Sequence, residues 1–207
     1  MNNPLRSAYL LLLVLLLPLT QLSAADLNSD IAALQSDWAK IKYQSSPKDQ
    51  AKQFEALAAR AQSVTARYPD TAEPLIWEGI ILSTWAGAKG GLGALSLAKQ
   101  SRDRLEQALS IDPQALSGSA YTSLGTLYFK VPGWPLGFGD TDKAEELLKK
   151  ALEINPDGID PNFFYGEFLY EEDRYQESLA ALEHALRAPP RAARPVADSG
   201  RKAEIEQ

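Results

Sequence analysis

The chain has 207 residues, 45% of them apolar and 23% charged, which is the make-up of one ordinary globular domain with a real core. Its net charge of −6 gives no basic footprint for nucleic acid, and it has no cysteine for disulfides, thiolate metal sites or a lipid-anchored N-terminus. The single histidine, His184, cannot supply a histidine zinc site or serve a nucleophile unless a cleft holds it.

Residues 1–25 read as a cleavable secretory signal. Arg6 provides the positive start, Ala8 to Leu17 is an unbroken apolar run, and Pro18 breaks it. Ser23, Ala24 and Ala25 are small residues suited to cleavage before Asp26. The run is too short to span a bilayer, which needs about 20 apolar residues. A freely soluble periplasmic protein is the expectation, since exported bacterial proteins meet an oxidising compartment and this one has no thiol to oxidise.

From Asp26 onward no segment reads as a clear strand. Residues 27–42 place Leu27, Ile31, Leu34, Trp38 and Ile41 on one helical stripe. Residues 48–68 form a second helix that stops before Pro69, and 72–86 a third. The glycine-rich stretch 87–93 is expected to be a flexible break, followed by a fourth helix over 94–110 and a fifth over 115–130. Residues 131–139 hold two prolines and three glycines and cannot be helical throughout. Asp140 or Thr141 can cap a sixth helix that ends before Pro156. The seventh covers 160–171 and the eighth 174–188, stopped by Pro189 and Pro190. Residues 191–207 lack a strong apolar stripe and read as a capping helix or a disordered tail.

Three helix ends repeat one another: Ala108-Leu-Ser-Ile-Asp-Pro113, Ala151-Leu-Glu-Ile-Asn-Pro156 and Ala185-Leu-Arg-Ala-Pro-Pro190. Leu105, Leu148 and Leu182 each precede the alanine by three positions, and Gly79, Gly125 and Gly166 stand on the helix before. Tyr121-x-x-Leu124-Gly125-x-x-Tyr128 is the clearest copy of the first-helix pattern. Together these residues resemble the tetratricopeptide repeat, W-x-x-L-G-x-x-Y…A-x-x-x-F…P. The resemblance implies an all-α, tetratricopeptide-repeat-like α-solenoid of about four antiparallel helix pairs within residues 26–190. The pairs would be a degenerate one at 27–69 and repeats at 72–113, 115–156 and 160–190. Gly166 to Pro190 spans the usual 24 residues, whereas Gly125 to Pro156 spans 31 and Gly79 to Pro113 spans 34. Two insertions inside pairs follow, at 85–93 and 131–139.

The second insertion reads Val-Pro-Gly-Trp-Pro-Leu-Gly-Phe-Gly, so Trp134, Leu136 and Phe138 either tuck onto the helix pair or rim a binding surface. With the following Asp-Thr-Asp-Lys-Ala, with Asn155-Pro-Asp-Gly158 and with Pro161-Asn-Phe-Phe-Tyr-Gly-Glu-Phe-Leu, it is similar to the T-component family associated with TRAP transporters. That resemblance implies a periplasmic helical-repeat protein that docks a transporter's substrate-binding component and can hold an apolar ligand. A lipid-anchoring cysteine, found in members of that family, is missing here.

By repeat register the first helix of each pair lines the concave face. Ile76, Ile80 and Ser83, then Thr122, Thr126 and Phe129, then Phe163, Glu167 and Tyr170 would face inward and receive a peptide or extended segment, or else pack on the next pair. His184 and the Glu171-Glu172-Asp173 turn read as solvated groups, and calcium would need a fuller oxygen set. The glycines at 87–93 do not form a phosphate loop, and no nucleophile, base and orienting group converge. The reading is an interaction protein without catalytic residues, cofactor or metal. A carrier of a small apolar ligand or lipid, and a general assembly scaffold of the cell envelope, are its alternatives.

Overall fold

The computed structural model describes residues 24–207. The leader assigned to residues 1–25 therefore lies outside the described residues, apart from Ala24 and Ala25, which begin the first helix. Among the described residues nine helices run in order: α1 (Ala24–Gln44), α2 (Pro47–Arg67), α3 (Ala72–Lys89), α4 (Gly91–Ile111), α5 (Ala115–Lys130), α6 (Thr141–Ile154), α7 (Ile159–Glu171), α8 (Tyr175–Leu186) and α9 (Pro195–Ile205). Consecutive helices fold back on each other as α3 with α4, α5 with α6 and α7 with α8, while α2 also packs on α3. The only β pairing among the described residues is an isolated bridge between Gly133 and Gly139.

One contact recurs in the three repeats. A Cβ built on Gly79 would fall 2.7 Å from Leu105 Cγ, one on Gly125 2.8 Å from Leu148 Cγ, and one on Gly166 2.7 Å from Leu182 Cδ2. The missing side chain is what lets the two helices close to this distance. Four residues before each leucine stands a small residue. In the outer two pairs it is a serine whose hydroxyl donates to the glycine carbonyl: Ser101 to Gly79 at 2.7 Å and Ser178 to Gly166 at 2.8 Å. Ala144 holds that position in the middle pair. Ala108, Ala151 and Ala185 on the facing helices are fully buried, as their place near the repeated prolines requires.

The first insertion is not a flexible loop. Helix α3 continues through Lys89, and α4 starts at Gly91. Gly90 and Gly91, both at φ 62°, turn the chain, because left-handed residues end a helix and glycine adopts that conformation without a Cβ clash. The roughly ten extra residues lengthen both helices by about one and a half turns each. The second insertion is a true loop. Its backbone is tied down by Gly139 N–H donating to the Pro132 carbonyl at 2.9 Å and Asp140 N–H to that of Tyr128 at 2.9 Å. Asp140, not Thr141, caps α6, its carboxylate accepting from Lys143 N–H at 3.0 Å.

The tail folds as a helix, α9, which turns back to α1, α7 and α8. Ala197 is buried in the core formed by the first two pairs, with Val196 packed beside it. Gly200 lies against the face of Tyr43 so closely that a Cβ would sit 2.3 Å from the ring. Arg201 stacks on Phe163 and Phe164, its Cζ 4.2 and 4.5 Å from the two ring centroids. The last helix thus bridges the first and fourth pairs and closes the stack into a ring.

The glycine contact yields an opposed pair of expectations. Gly125→Ala should lower stability by about 1–2 kcal/mol, since the clash with Leu148 outweighs the gain in helix propensity. Gly87→Ala, where an added Cβ meets nothing within 4 Å, should raise it by about 0.8 kcal/mol. Midpoints of urea unfolding followed by circular dichroism measure both.

Candidate functional site

The inner face of the ring lines a half-open cavity of about 1560 Å³. Its wall runs from Trp38 and Lys42 of α1, along α3, α4 and α5, to α7, and α9 closes it with Arg201, Glu204 and Ile205. The lengthened ends of α3 and α4 form much of this wall through Ala86, Gly87, Ala88, Gly91, Ala94 and Leu95. The first insertion therefore deepens the concave face.

Of the residues expected to face inward, Ile80, Ser83, Thr122, Thr126, Phe163, Glu167 and Tyr170 line this cavity. Ile76 does not: it is fully buried in the core between pairs, one of the positions where the next pair takes the side chain. Phe129 also turns away, meeting Phe168 edge-to-face with centroids 5.8 Å apart. Phe138 packs edge-on against Tyr128 at 5.5 Å and carries Arg102 over its outer face at 4.8 Å, so it anchors the loop to the helices. Trp134 and Leu136 are left in solvent, 90% and 72% exposed. Leu136 stands at the cavity rim, and so does Tyr170, which is itself exposed and pairs edge-to-face with Tyr175 at 5.4 Å.

Two groups in the wall were not expected from the sequence. The first is aromatic: Trp38 meets Trp77 at 6.1 Å and Tyr43 at 5.8 Å, and its Nε1–H donates to Thr84 at 2.9 Å. The second is a charged cluster around Asp160, at the start of α7. Arg191 Nη1 and Arg201 Nε donate to its carboxylate at 2.7 and 3.1 Å, and Arg194 Nη1 stands at 3.9 Å. Asp198 in turn accepts from Arg191 Nε at 2.7 Å, and Glu204 from Arg201 Nη1 at 2.6 Å. Burial by itself would push the Asp160 carboxyl up, but Arg201, Arg191 and Arg194 outweigh it and hold the group well below the usual carboxylate range. Three arginines in a tail of little apolar character were the only trace of this cluster in the sequence.

The chain enters α5 through a strained turn. Leu116 and Ser117 have φ of 48° and 54°, a left-handed conformation that costs a residue with a side chain about 1–2 kcal/mol. Both line the cavity, and at Gly118, also left-handed, an added Cβ would fall 3.1 Å from Ile154 Cδ1. Strain of this kind collects where a wall has to be shaped for a purpose. His184, outside the cavity, pairs with Asp157 at 2.9 Å and is 42% exposed, as a solvated residue would be.

Compared with known proteins, residues 136–196 match the tetratricopeptide repeat family. The whole fold is similar to the crystal structure of TTC0263, a thermophilic TPR protein of Thermus thermophilus. The TM-score is 0.57 at 17% identity, over 88% of this chain and 91% of that one. The fold is a tetratricopeptide-repeat-like α-solenoid. MamA gives a TM-score of 0.46 at 17% identity over 79% of this chain and 96% of its own, and pilF of Pseudomonas aeruginosa 0.37 at 13% over 86% and 90%. Curated protein sequences contain no significant match. No helix of the solenoid among the described residues is long and apolar enough to cross a membrane.

The Asp160 cluster predicts how the solenoid responds to acid. A carboxyl whose folded pKa lies below its ordinary 3.8 stabilises the fold above that value and ceases to do so as pH falls towards the folded pKa. Asp160→Asn should cost about 3 kcal/mol at pH 7, because Arg191 and Arg201 lose a charged acceptor, and should flatten the acid limb of the stability curve. Thermal melts of both proteins between pH 7 and pH 3 test this.

Proposed function

We propose that the protein is a periplasmic interaction module that docks a partner protein at the rim of its ring, as an accessory resembling the T-component of TRAP-type transporters. One observation carries the reading. The loop between α5 and α6 has a pinned backbone and an anchor in Phe138, yet it holds Trp134 and Leu136 out in water. A loop tied down this firmly could have turned those side chains inward. With the exposed Tyr170 and Tyr175, they are of the large apolar and aromatic types that carry binding energy at protein interfaces. Stacked helix pairs are interaction scaffolds whose extended concave surfaces receive other chains. The T-component resemblance of the same loop points to the partner: a transporter's substrate-binding component.

The half-open cavity favours a second function for the same molecule, as a carrier of a small apolar ligand or lipid. Its 1560 Å³ exceeds the roughly 300–1,000 Å³ usual for small-molecule sites, and most of the wall is apolar.

The docking reading predicts that a substrate-binding component encoded beside this gene forms a complex with the purified protein in biolayer interferometry. Trp134→Ala with Leu136→Ala should weaken that complex at least about tenfold without changing the melting temperature. Absence of a complex, or an unchanged affinity in the double variant, would rule it out. For the carrier, native mass spectrometry of protein purified without detergent should show an added small molecule on the chain; only the bare mass would count against it.

A further inference from the structure

The carboxylates on the cavity wall are all hydrogen-bonded, with one exception. Asp160 accepts from Arg191 and Arg201 at 2.7 and 3.1 Å, and Glu204 accepts from Arg201 at 2.6 Å. Asp157 pairs with His184 at 2.9 Å, and Glu171 takes the ammonium of Lys130. Glu167 has no hydrogen-bond donor among the described residues. Lys130 Nζ stands 3.8 Å from it, too long for a hydrogen bond, and donates to Glu171 instead. Glu167 is within reach of the cavity: it lines the wall, and its side chain is 33% exposed. Burial raises its pKa from the ordinary value, against the pull of Lys130 on α5 and Arg201 on α9. A partly desolvated carboxylate gains most from a charged donor.

The surroundings say what kind of donor fits. Along α7 Glu167 has Phe163 one turn before it and Tyr170 one turn after it, and all three line the cavity. Tyr170 belongs to the exposed rim. The same Lys130 that reaches towards Glu167 and Glu171 is the last residue of α5, so the loop carrying Trp134 and Leu136 begins beside this spot. Thr126, one turn before Lys130, has given its hydroxyl hydrogen to the Thr122 carbonyl at 2.8 Å. Ser119 and Ser83 have likewise donated to Leu116 and Ile80 at 2.6 and 2.9 Å, so these wall hydroxyls offer lone pairs only. Hydrocarbon from Leu127 and Phe163 lies on the same wall. Lysine and arginine side chains match both demands, with an apolar stem and a tip that only donates. The net charge of −6 favours the approach of a positively charged segment.

We propose that the partner docked at the rim passes a basic side chain beyond Tyr170 into the cavity mouth, where its charged end pairs with Glu167. This rests on the docking reading and adds the partner's chemistry: a lysine or arginine set among apolar residues. Two peptides separate the charge from the hydrocarbon: acetyl-Leu-Lys-Leu-amide, and the same peptide with norleucine for lysine. Titrated into ¹⁵N-labelled protein, the lysine peptide should shift the Glu167 and Tyr170 amide resonances saturably, at least about fivefold more tightly than the norleucine peptide. Glu167→Gln should bring the lysine peptide down to the norleucine affinity and leave the norleucine peptide unchanged. Glu172→Gln, which removes an exposed carboxylate of the same helix end that does not line the cavity, should change neither. The comparison of the two peptides on the unaltered protein decides even where a variant does not fold. Equal affinity of the two peptides, full lysine affinity in Glu167→Gln, or an equal loss in Glu172→Gln would each overturn the basic side chain and leave apolar docking standing. Binding of neither peptide overturns it too, while the docking reading keeps its own test with the substrate-binding component.

Discussion

Each repeat is built around a backbone meeting a side chain. Leu105, Leu148 and Leu182 press directly onto the glycine of the partner helix, with no side chain between. That contact sets the spacing within a pair, and the spacing sets how the next pair can lean. Two serine hydroxyls, on Gly79 and Gly166, fix the register of the same contact along the helix axis. Since pairs touch mainly their neighbours, small errors at these points would accumulate along the stack. The curvature that brings the fourth pair round to the first depends on them.

Most of the helix boundaries were legible because they are local. Pro69, Pro113, Pro156 and the Pro189–Pro190 pair end helices wherever they occur, and an apolar stripe of period 3.6 marks a buried face regardless of what covers it. The glycine–leucine pairing was legible for another reason: the same residue types return at related offsets. Two features were not. Glycines at 87, 90, 91 and 93 looked like a break, yet the break is confined to Gly90 and Gly91, both left-handed, because a helix tolerates glycine when the turn beside it is already made. Helix α9 was obscured because it is held by Gly200 against Tyr43 and by arginines on Phe163, Phe164 and Asp160, none of which adds to a hydrophobic pattern.

The inward-facing positions show the same division. Register alone found Ile80, Thr122, Thr126, Phe163, Glu167 and Tyr170, since a helix face is a periodic property. It misplaced Ile76 and Phe129, which lie at the edge of that face where the next pair begins. It could not find Arg194, whose position follows from a segment that belongs to no repeat. Phe138 and Trp134, neighbours in one short loop, met opposite fates, one under Arg102 and the other in solvent. Composition had no means of separating them.

A linear array of helix pairs can gain or lose a unit during its history and remain a folded protein. This ring cannot do so freely. The hydroxyl of Tyr43 meets Glu204 across 161 positions of the chain, and that meeting requires the intervening pairs to turn through a set angle. Deleting one pair would carry α9 away from α1 by about 10 Å, the distance between packed helices, and would open the wall it completes. The number of repeats is thereby locked, as the number of staves is in a cask.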